Sequence, residues 1–414
     1  MITLVEALNF KCFRYLQQPL GPFHVLAGAN GTGKSTFLDV IAFVSDFIAE
    51  GLKSAIEKRT PHFEDLVWMG KPGRIELAIE AKISETEKAI LPIQKYDRIR
   101  YELAIGNDLE SKEIQIFHET ILLKIDAPPP MPKRTVFPKL RGAPLTLIAP
   151  RKGLKKSKRI FIKVLGGMET YYPETEWEEK PSEISRRPAP LKSGLDHLPE
   201  DEKKFPVSTW FKHFMCEEIK RIRTSSPFLP HTTQKKTKSE LSQLSWIWNE
   251  MKSQKPAELS KVMAFLQSLL PDLKGIKSIQ NKEGQYDLVL EYKNNLKLPM
   301  RSISEGSYCI LSMVFPFFQW DPHVCVYLIE EPENGLHPKT LENLLHFFSS
   351  ASNAQILLTT YSPIVLDQCD PSQILFFAKT PEGASDVIGL HQHPKLKNWK
   401  GEPSLSTLFA KGEL

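Results

Sequence analysis

The sequence predicts an α/β fold organised on a parallel sheet buried on both faces, and three stretches predict it. Residues 324–338 read Val-Cys-Val-Tyr-Leu-Ile-Glu-Glu-Pro-Glu-Asn-Gly-Leu-His-Pro. The apolar run without polar alternation fits a strand covered on both sides, and Pro332 with Asn334-Gly335 stops and turns it. Residues 355–360, Gln-Ile-Leu-Leu-Thr-Thr, make a second buried strand. Residues 23–27 make a shorter one, followed by a glycine-rich loop and apolar residues at Phe37, Leu38, Val40, Ile41, Val44 and Ile48. That spacing is helical, and Gly51 closes it. At 414 residues and 41% hydrophobic content, the chain is long enough for two or three domains and a sizeable core.

Taken in order, residues 1–27 predict two early strands. The loop after them is Gly28-Ala29-Asn30-Gly31-Thr32-Gly33-Lys34-Ser35, which fits Gly, four residues, Gly-Lys-Ser. Its glycines let backbone N–H groups curl around phosphates, Lys34 neutralises the terminal ones, and Ser35 offers a hydroxyl to a metal ion. Asn30, Gly31, Thr32, Gly33 and Thr36 complete the expected contact set. A strand before the loop and a helix after it supply the required context, so a nucleoside triphosphate is the expected ligand. This gives the acids at 330 and 331 a use. A buried strand ending in Glu330-Glu331 presents both at its carboxyl end, where open α/β sheets bind ligands. Glu330 is expected to help hold Mg²⁺, and Glu331 to orient and deprotonate a water for attack on a phosphoryl group. Alone, the pair would read equally well as a solvated acidic turn.

With Asn9-Phe10-Lys11-Cys12-Phe13-Arg14 before the loop, the start of the chain resembles ATPases of the RecF, SMC and OLD type, soluble relatives of the ABC transporter ATPases. Glu330 to Pro338 and Thr359-Thr360-Tyr361-Ser362-Pro363 resemble one branch of these, the predicted ABC-type AAA ATPases found in bacterial anti-phage and toxin systems. The resemblance covers both ends of the chain well and the middle loosely. It implies an α/β P-loop lobe of ABC-head type, with ATP and Mg²⁺ as ligands. It also implies that Ser304-Glu305-Gly306-Ser307, in the place of the ABC signature, contacts the γ-phosphate held by a second copy. Two chains would then close head to tail on ATP. A helix N-terminus offers free N–H groups suited to that anion. Lys11 and Arg14 are candidates to touch base or phosphates. Relatives carry a histidine where this chain has Tyr361; a phenol can donate a hydrogen bond but cannot become an imidazolium, so slow or partner-dependent hydrolysis is expected. Residues 63–70 lack the glutamine that couples transporter relatives to a membrane domain. OLD-type relatives carry a nuclease in the same chain, so the expected effector here is a separate polypeptide. A RecF-like DNA clamp, using ATP mainly to dimerise, is the alternative.

The middle changes composition. Residues 127–168 contain no Asp or Glu, yet carry Lys133, Arg134, Lys139, Arg141, Arg151, Lys152, Lys155, Lys156, Lys158, Arg159 and Lys163. Spaced prolines argue against a continuous helix, while residues 145–148 and 160–162 argue for folded strands. Two readings stay open: an electrostatic track for a DNA or RNA backbone, or a surface that docks an acidic partner protein. Residues 169–204 reverse the charge and read as an exposed linker. Residues 210–223, 239–251 and 257–270 have helical spacing, with Trp246 and Trp248 expected in the core. Strands at 286–292 and 296–299 follow. The expected organisation is an ATPase lobe from residues 1–126 and 285–414, with an inserted basic, partly helical arm at 127–284.

A formal net charge of +5 is mild, so any nucleic-acid argument rests on local clustering. No apolar run approaches transmembrane length, and the N-terminus lacks a signal-peptide pattern, so a cytoplasmic protein without a membrane partner is expected. Five scattered cysteines show no metal-ligand spacing, and their odd number argues against a disulfide framework.

Overall fold

The computed structural model describes the chain except residues 72, 109–112, 126–133, 151–155, 177–188, 199–201, 224–233, 281–285, 319–324 and 352. Three strands, not two, open it: β1 (Ile2–Phe10), β2 (Phe13–Pro19) and β3 (Phe23–Ala27). The phosphate loop leads from β3 into α1 (Lys34–Glu50), and α2 (Leu52–Glu57) follows. Next come β4 (Arg74–Lys82), α3 (Glu85–Ile90), β5 (Arg98–Asn107), β6 (Ile114–Lys124), β7 (Ser157–Val164) and β8 (Thr170–Tyr171). These strands make an antiparallel sheet in the order β2-β1-β4-β5-β6-β7-β8.

Helix α4 (Pro206–Glu217) leads into β9 (Ile219–Arg223), then α5 (Gln234–Gln254) and α6 (Pro256–Leu269). A small sheet of β10 (Leu273–Gln280), β11 (Tyr286–Tyr292) and β12 (Lys297–Pro299) follows. The last third carries α7 (Glu305–Phe318), β13 (Cys325–Glu330), α8 (Pro338–Ser349) and β14 (Ala354–Thr360). It closes with α9 (Pro363–Asp367), β15 (Ile374–Lys379), β16 (Ser385–Gly389) and α10 (Leu405–Ala410). The second large sheet runs β16-β15-β3-β14-β13-β9, parallel from β15 to β9, with β16 antiparallel at its edge.

Strand residues in that second sheet are apolar on both faces because both are covered. In β13, Leu328 points into the core shared with α1, α4 and the antiparallel sheet, while Ile329 points into the core shared with α5, α6, α7 and α8. In β3, Leu26 and Val25 divide the same way. This period of two turns a continuous apolar run into two half-cores. The sheet is tied to the N-terminus by buried Gln355, whose Nε2 donates to Ile2 O (2.7 Å) and Gly21 O (2.8 Å) and whose Oε1 accepts from Ile2 N–H (2.8 Å).

The stretch expected as one inserted arm is divided between elements. Strands β7 and β8 extend the antiparallel sheet through β6, and β9 pairs in parallel with β13. Helices α5 and α6 pack with the small sheet instead, and Trp248 is buried there, stacked on Phe315 at 5.5 Å, whereas Trp246 is 54% exposed. Residues 219–223, expected as helix, are strand, and residues 145–148 form no strand. Part of the expected linker is built into the core: Glu169 and Glu174 are buried, and Glu174 accepts from Val207 N–H (2.6 Å) and Ser208 N–H (2.8 Å) at the start of α4. Burial raises the Glu174 carboxyl to about 7, against those hydrogen bonds and the nearby Lys158. Among the described residues no helix is long and apolar enough to cross a membrane.

Candidate nucleotide site

The loop between β3 and α1 is shaped by what its glycines exclude. A Cβ on Gly28 would stand 2.3 Å from Phe377 O, and one on Gly33 would stand 2.8 Å from both Cys12 Sγ and Ser385 Oγ. Gly33 also has φ of 104°, a left-handed conformation that other residues adopt at a cost. Thr32 Oγ1 donates to Ala29 O at 2.8 Å and pins the turn. Gly33 occupies the cap of α1, with no side-chain cap and no acid in the first turn, so the first N–H groups of the helix are left for an anion. Lys34 is buried, with Nζ donating to Gly28 O (2.8 Å) and Ala29 O (2.9 Å). Burial lowers its pKa from the lysine range, while Glu331 and Glu333 act to raise it. Asn30, Gly31 and Ser35 are exposed, and Thr36 is half-buried beside them.

Two strands away, β13 ends in Glu330, which is exposed. Glu331 follows at φ 49°, its N–H donating to Thr359 O at 3.0 Å. A non-glycine residue held left-handed costs about 1–2 kcal/mol, and here it turns the second acid away from the strand direction. Asn334 Nδ2 donates to Glu331 Oε2 at 2.9 Å. Glu333 Oε1 accepts from Thr360 Oγ1 (2.6 Å) and Tyr361 N–H (3.1 Å), while its buried Oε2 has no hydrogen-bond partner among the described residues. Tyr361 is 40% exposed and donates its phenol to Asn334 Oδ1 at 2.7 Å. Burial, then Glu331 and Glu333, raise its pKa, so it is a neutral donor near pH 7.

Lys34, Glu331 and Tyr361 thus converge at the carboxyl ends of β3, β13 and β14, which are neighbours with β14 in the middle. From the sequence, Asn334 reads only as a turn residue and Glu333 has no assigned role. Their role depends on Tyr361, and the sole sequence signal for it is a second polar pair directly after Glu331-Pro332.

Ser304 caps α7, with its Oγ accepting Ser307 N–H at 3.2 Å. Glu305 is exposed, and Gly306 is pressed so closely on the turn after β13 that a Cβ there would stand 2.5 Å from Gly335 O. Ser304 to Ser307 therefore lie against the acidic loop of their own chain. Lys11 is ion-paired with Asp39 at 2.7 Å, and the Arg14 guanidinium lies 5.5 Å over the ring of Trp68.

Residues 174–367 match the family model described as "AAA domain, putative AbiEii toxin, Type IV TA system". That span begins after the phosphate loop and contains the signature, acidic and Tyr361 segments. No curated protein matches the chain. Among solved structures, the SmcHead bound to the C-winged helix domain of ScpA is 14% identical with a TM-score of 0.54, over 94% of this chain and 96% of that one. The Smc head domain with an extended coiled coil, bound to the C-terminal domain of ScpA and derived from Pyrococcus furiosus, is 11% identical with a TM-score of 0.51, over 94% and 95%. Residues 174–367 are similar to this AAA family, and the chain has the fold of the SMC heads.

In this fold the basic stretch does not form one solvent-facing track. Lys158 is buried, its Nζ donating to Pro173 O (2.6 Å) and Glu174 O (3.2 Å). Lys163 is buried on Ala189 O (2.8 Å), Lys192 O (2.7 Å) and the Glu169 carboxylate (3.1 Å). Arg159 is buried on Pro150 O at 2.8 Å. These three hold loops whose carbonyls would otherwise be left unpaired, which corrects their expected place on a nucleic-acid surface. Arg134 is salt-bridged to Asp386, Arg141 is half-buried, and Lys139 and Lys156 are exposed. Lys133, Arg151, Lys152 and Lys155 lie outside the described residues.

Proposed function

We propose that the protein binds and hydrolyses ATP, that two copies close on it head to tail, and that this closure controls a separately encoded effector, of nuclease type, in anti-phage defence or DNA surveillance. The observation that carries the reading is the convergence of Lys34, Glu331 and Tyr361 on adjacent parallel strand ends. The residues present fit a triphosphate: a glycine cradle that a Cβ would fill, a buried lysine held only on loop carbonyls, and an uncapped helix N-terminus. Ser35 and Glu330 would hold Mg²⁺, whose chemistry when bound is to neutralise phosphate charge.

Lys34 would exchange its two carbonyls for phosphate oxygens. Glu331, oriented by Asn334, would accept the proton of the attacking water. The start of α7 in the second copy, Ser304 to Ser307, would offer N–H groups to the γ-phosphate. Each of the two SMC heads was solved with a domain of a separate protein, which supports a partner acting in trans.

The test compares wild type with Glu331→Gln for ATP turnover and for molecular mass by light scattering. Loss of the base should lower turnover at least about 100-fold and yield a stable ATP-bound dimer. A wild-type protein that binds no ATP would end the proposal. One observation favours the DNA-clamp reading: Tyr361 is neutral and engaged with Asn334. Wild-type turnover equal to that of Glu331→Gln, together with ATP-dependent retention of DNA, would select it.

A further inference from the structure

Residues 134–150 form a strap between the two large sheets. Arg134 forks onto Asp386 of β16, with Nη1 to Oδ1 at 2.9 Å, and the Lys139 N–H donates to Asp386 Oδ2 at 2.8 Å. Phe137 packs edge-on against Phe376 and His393. Farther along, Leu147 N–H donates to Glu76 (2.5 Å) and Ala149 N–H to Glu102 (2.8 Å). The strap is therefore fixed at both ends.

Between those anchors it curls around a cavity of about 320 Å³ lined by Arg134, Lys139, Arg141 and the exposed Thr135. Three cations face one small space. Arg134 is neutralised by Asp386. Arg141 lies over the Tyr15 ring at 5.3 Å and donates only to a carbonyl, Gln17 O, at 3.2 Å. Among the described residues no carboxylate forms an ion pair with the side chain of Arg141 or Lys139, although the Lys139 backbone N–H is held by Asp386. Burial, with Arg134 beside it, presses the Arg141 pKa downward, against the pull of Tyr15 and of the more distant Asp386 and Glu6. Half-burying a guanidinium without a carboxylate is unfavourable, and the fold could have avoided it by turning this side chain outward. The missing complement is an anion.

We propose that Arg141, Lys139 and Thr135, beside the Asp386-paired Arg134, form a binding site for a phosphomonoester, separate from the nucleotide site. The Arg141 guanidinium matches phosphate oxygens, Lys139 adds a mobile charge, and the Thr135 hydroxyl adds a neutral donor. The cavity admits a single phosphate group and not a duplex. Two sources share this chemistry: free phosphate or a mononucleotide, and the terminal phosphate of a nucleic-acid strand.

The experiment uses full-length protein carrying Lys34→Ala, which silences phosphate binding at the ATP loop. Calorimetry with inorganic phosphate reads the free source. Anisotropy of a labelled oligothymidylate with a 5′-phosphate, against the same strand with a 5′-hydroxyl, reads the strand source. At least one phosphate-bearing probe should saturate, and Lys139→Gln and Arg141→Gln should each weaken it about tenfold, with Arg141→Lys restoring part of the loss. Lys139 is exposed, so its variant tests the site without disturbing the fold. The proposal is overturned if neither phosphate probe saturates, if both Gln variants bind like their parent, or if inorganic phosphate does not saturate and the 5′-hydroxyl strand binds as well as the 5′-phosphate strand.

Discussion

The phenol of Tyr361 donates to Asn334 Oδ1 at 2.7 Å, and the amide of the same Asn334 donates to Glu331 at 2.9 Å. The residue just after β14 therefore reaches the expected general base through one side chain. A histidine would add a charge that this phenol cannot supply, yet the positioning function is kept. Tyr361→Phe and Asn334→Ala should each lower ATP turnover about tenfold, the scale of one hydrogen bond. Because they act on one carboxylate in series, the double variant should lose little more than either single one. Steady-state kinetics on the four proteins checks this, and additive losses would break the relay.

The phosphate loop yields a sharper contrast between two glycines. Gly33→Ala places a Cβ against Cys12 and Ser385 at φ 104°, whereas Gly31, at φ 74°, has open space around it. Gly33→Ala should lose ATP binding and about 2 kcal/mol or more of stability, and Gly31→Ala about 1 kcal/mol from its backbone alone. Equilibrium ATP titration and chemical denaturation measure both. Tight ATP binding by Gly33→Ala would show that the loop rearranges.

The buried lysines separate charge from function. Lys158→Met leaves the carbonyls of Pro173 and Glu174 without their donor, so the denaturation midpoint should fall by the equivalent of about 2 kcal/mol. Any affinity for nucleic acid should stay unchanged in the folded variant. A selective loss of DNA binding at full stability would return Lys158 to the surface track.

What the sequence discloses here is local, and what it conceals depends on distant partners. The loop at 28–35 and the strands around it carry their own signals, namely glycine spacing, unbroken apolar runs and a helical period. Residues 219–223 show no such bias. Ile219 and Ile222 fit a helical spacing as well as a strand, and only pairing with β13 decides. Charge counts are equally mute about direction. Lys163 and Glu169 belong to the basic and acidic stretches that composition separates, yet they meet in one buried pair. The site shows the same limit: the α/β head and its acidic strand were readable, but the use of Asn334 and Glu333 exists only once β14 brings Tyr361 beside them.

His24 should make stability fall in mild acid. It lies in β3 just before the phosphate loop, and its Nε2 accepts Gly21 N–H at 2.7 Å, which leaves the ring proton on Nδ1, facing Gln373 O at 3.3 Å. Burial, then nearby His391, lower its pKa to about 4, against the pull of the Gln373 carbonyl. The unfolded ring titrates near 6.5, so between about 6.5 and 4 the unfolded chain binds the proton and the folded one does not. Stability is therefore lost as pH falls through that window, by on the order of 3 kcal/mol. Glu174, raised to about 7, acts oppositely: folded protein keeps its proton up to about 7, so stability is lost as pH rises from the ordinary carboxyl range toward 7. Denaturant titrations of wild type and His24→Gln at pH 7.5 and 5.0 isolate the first term. The stability gap between the two pH values should narrow in His24→Gln; an unchanged gap would mean that the buried ring is protonated in the folded state.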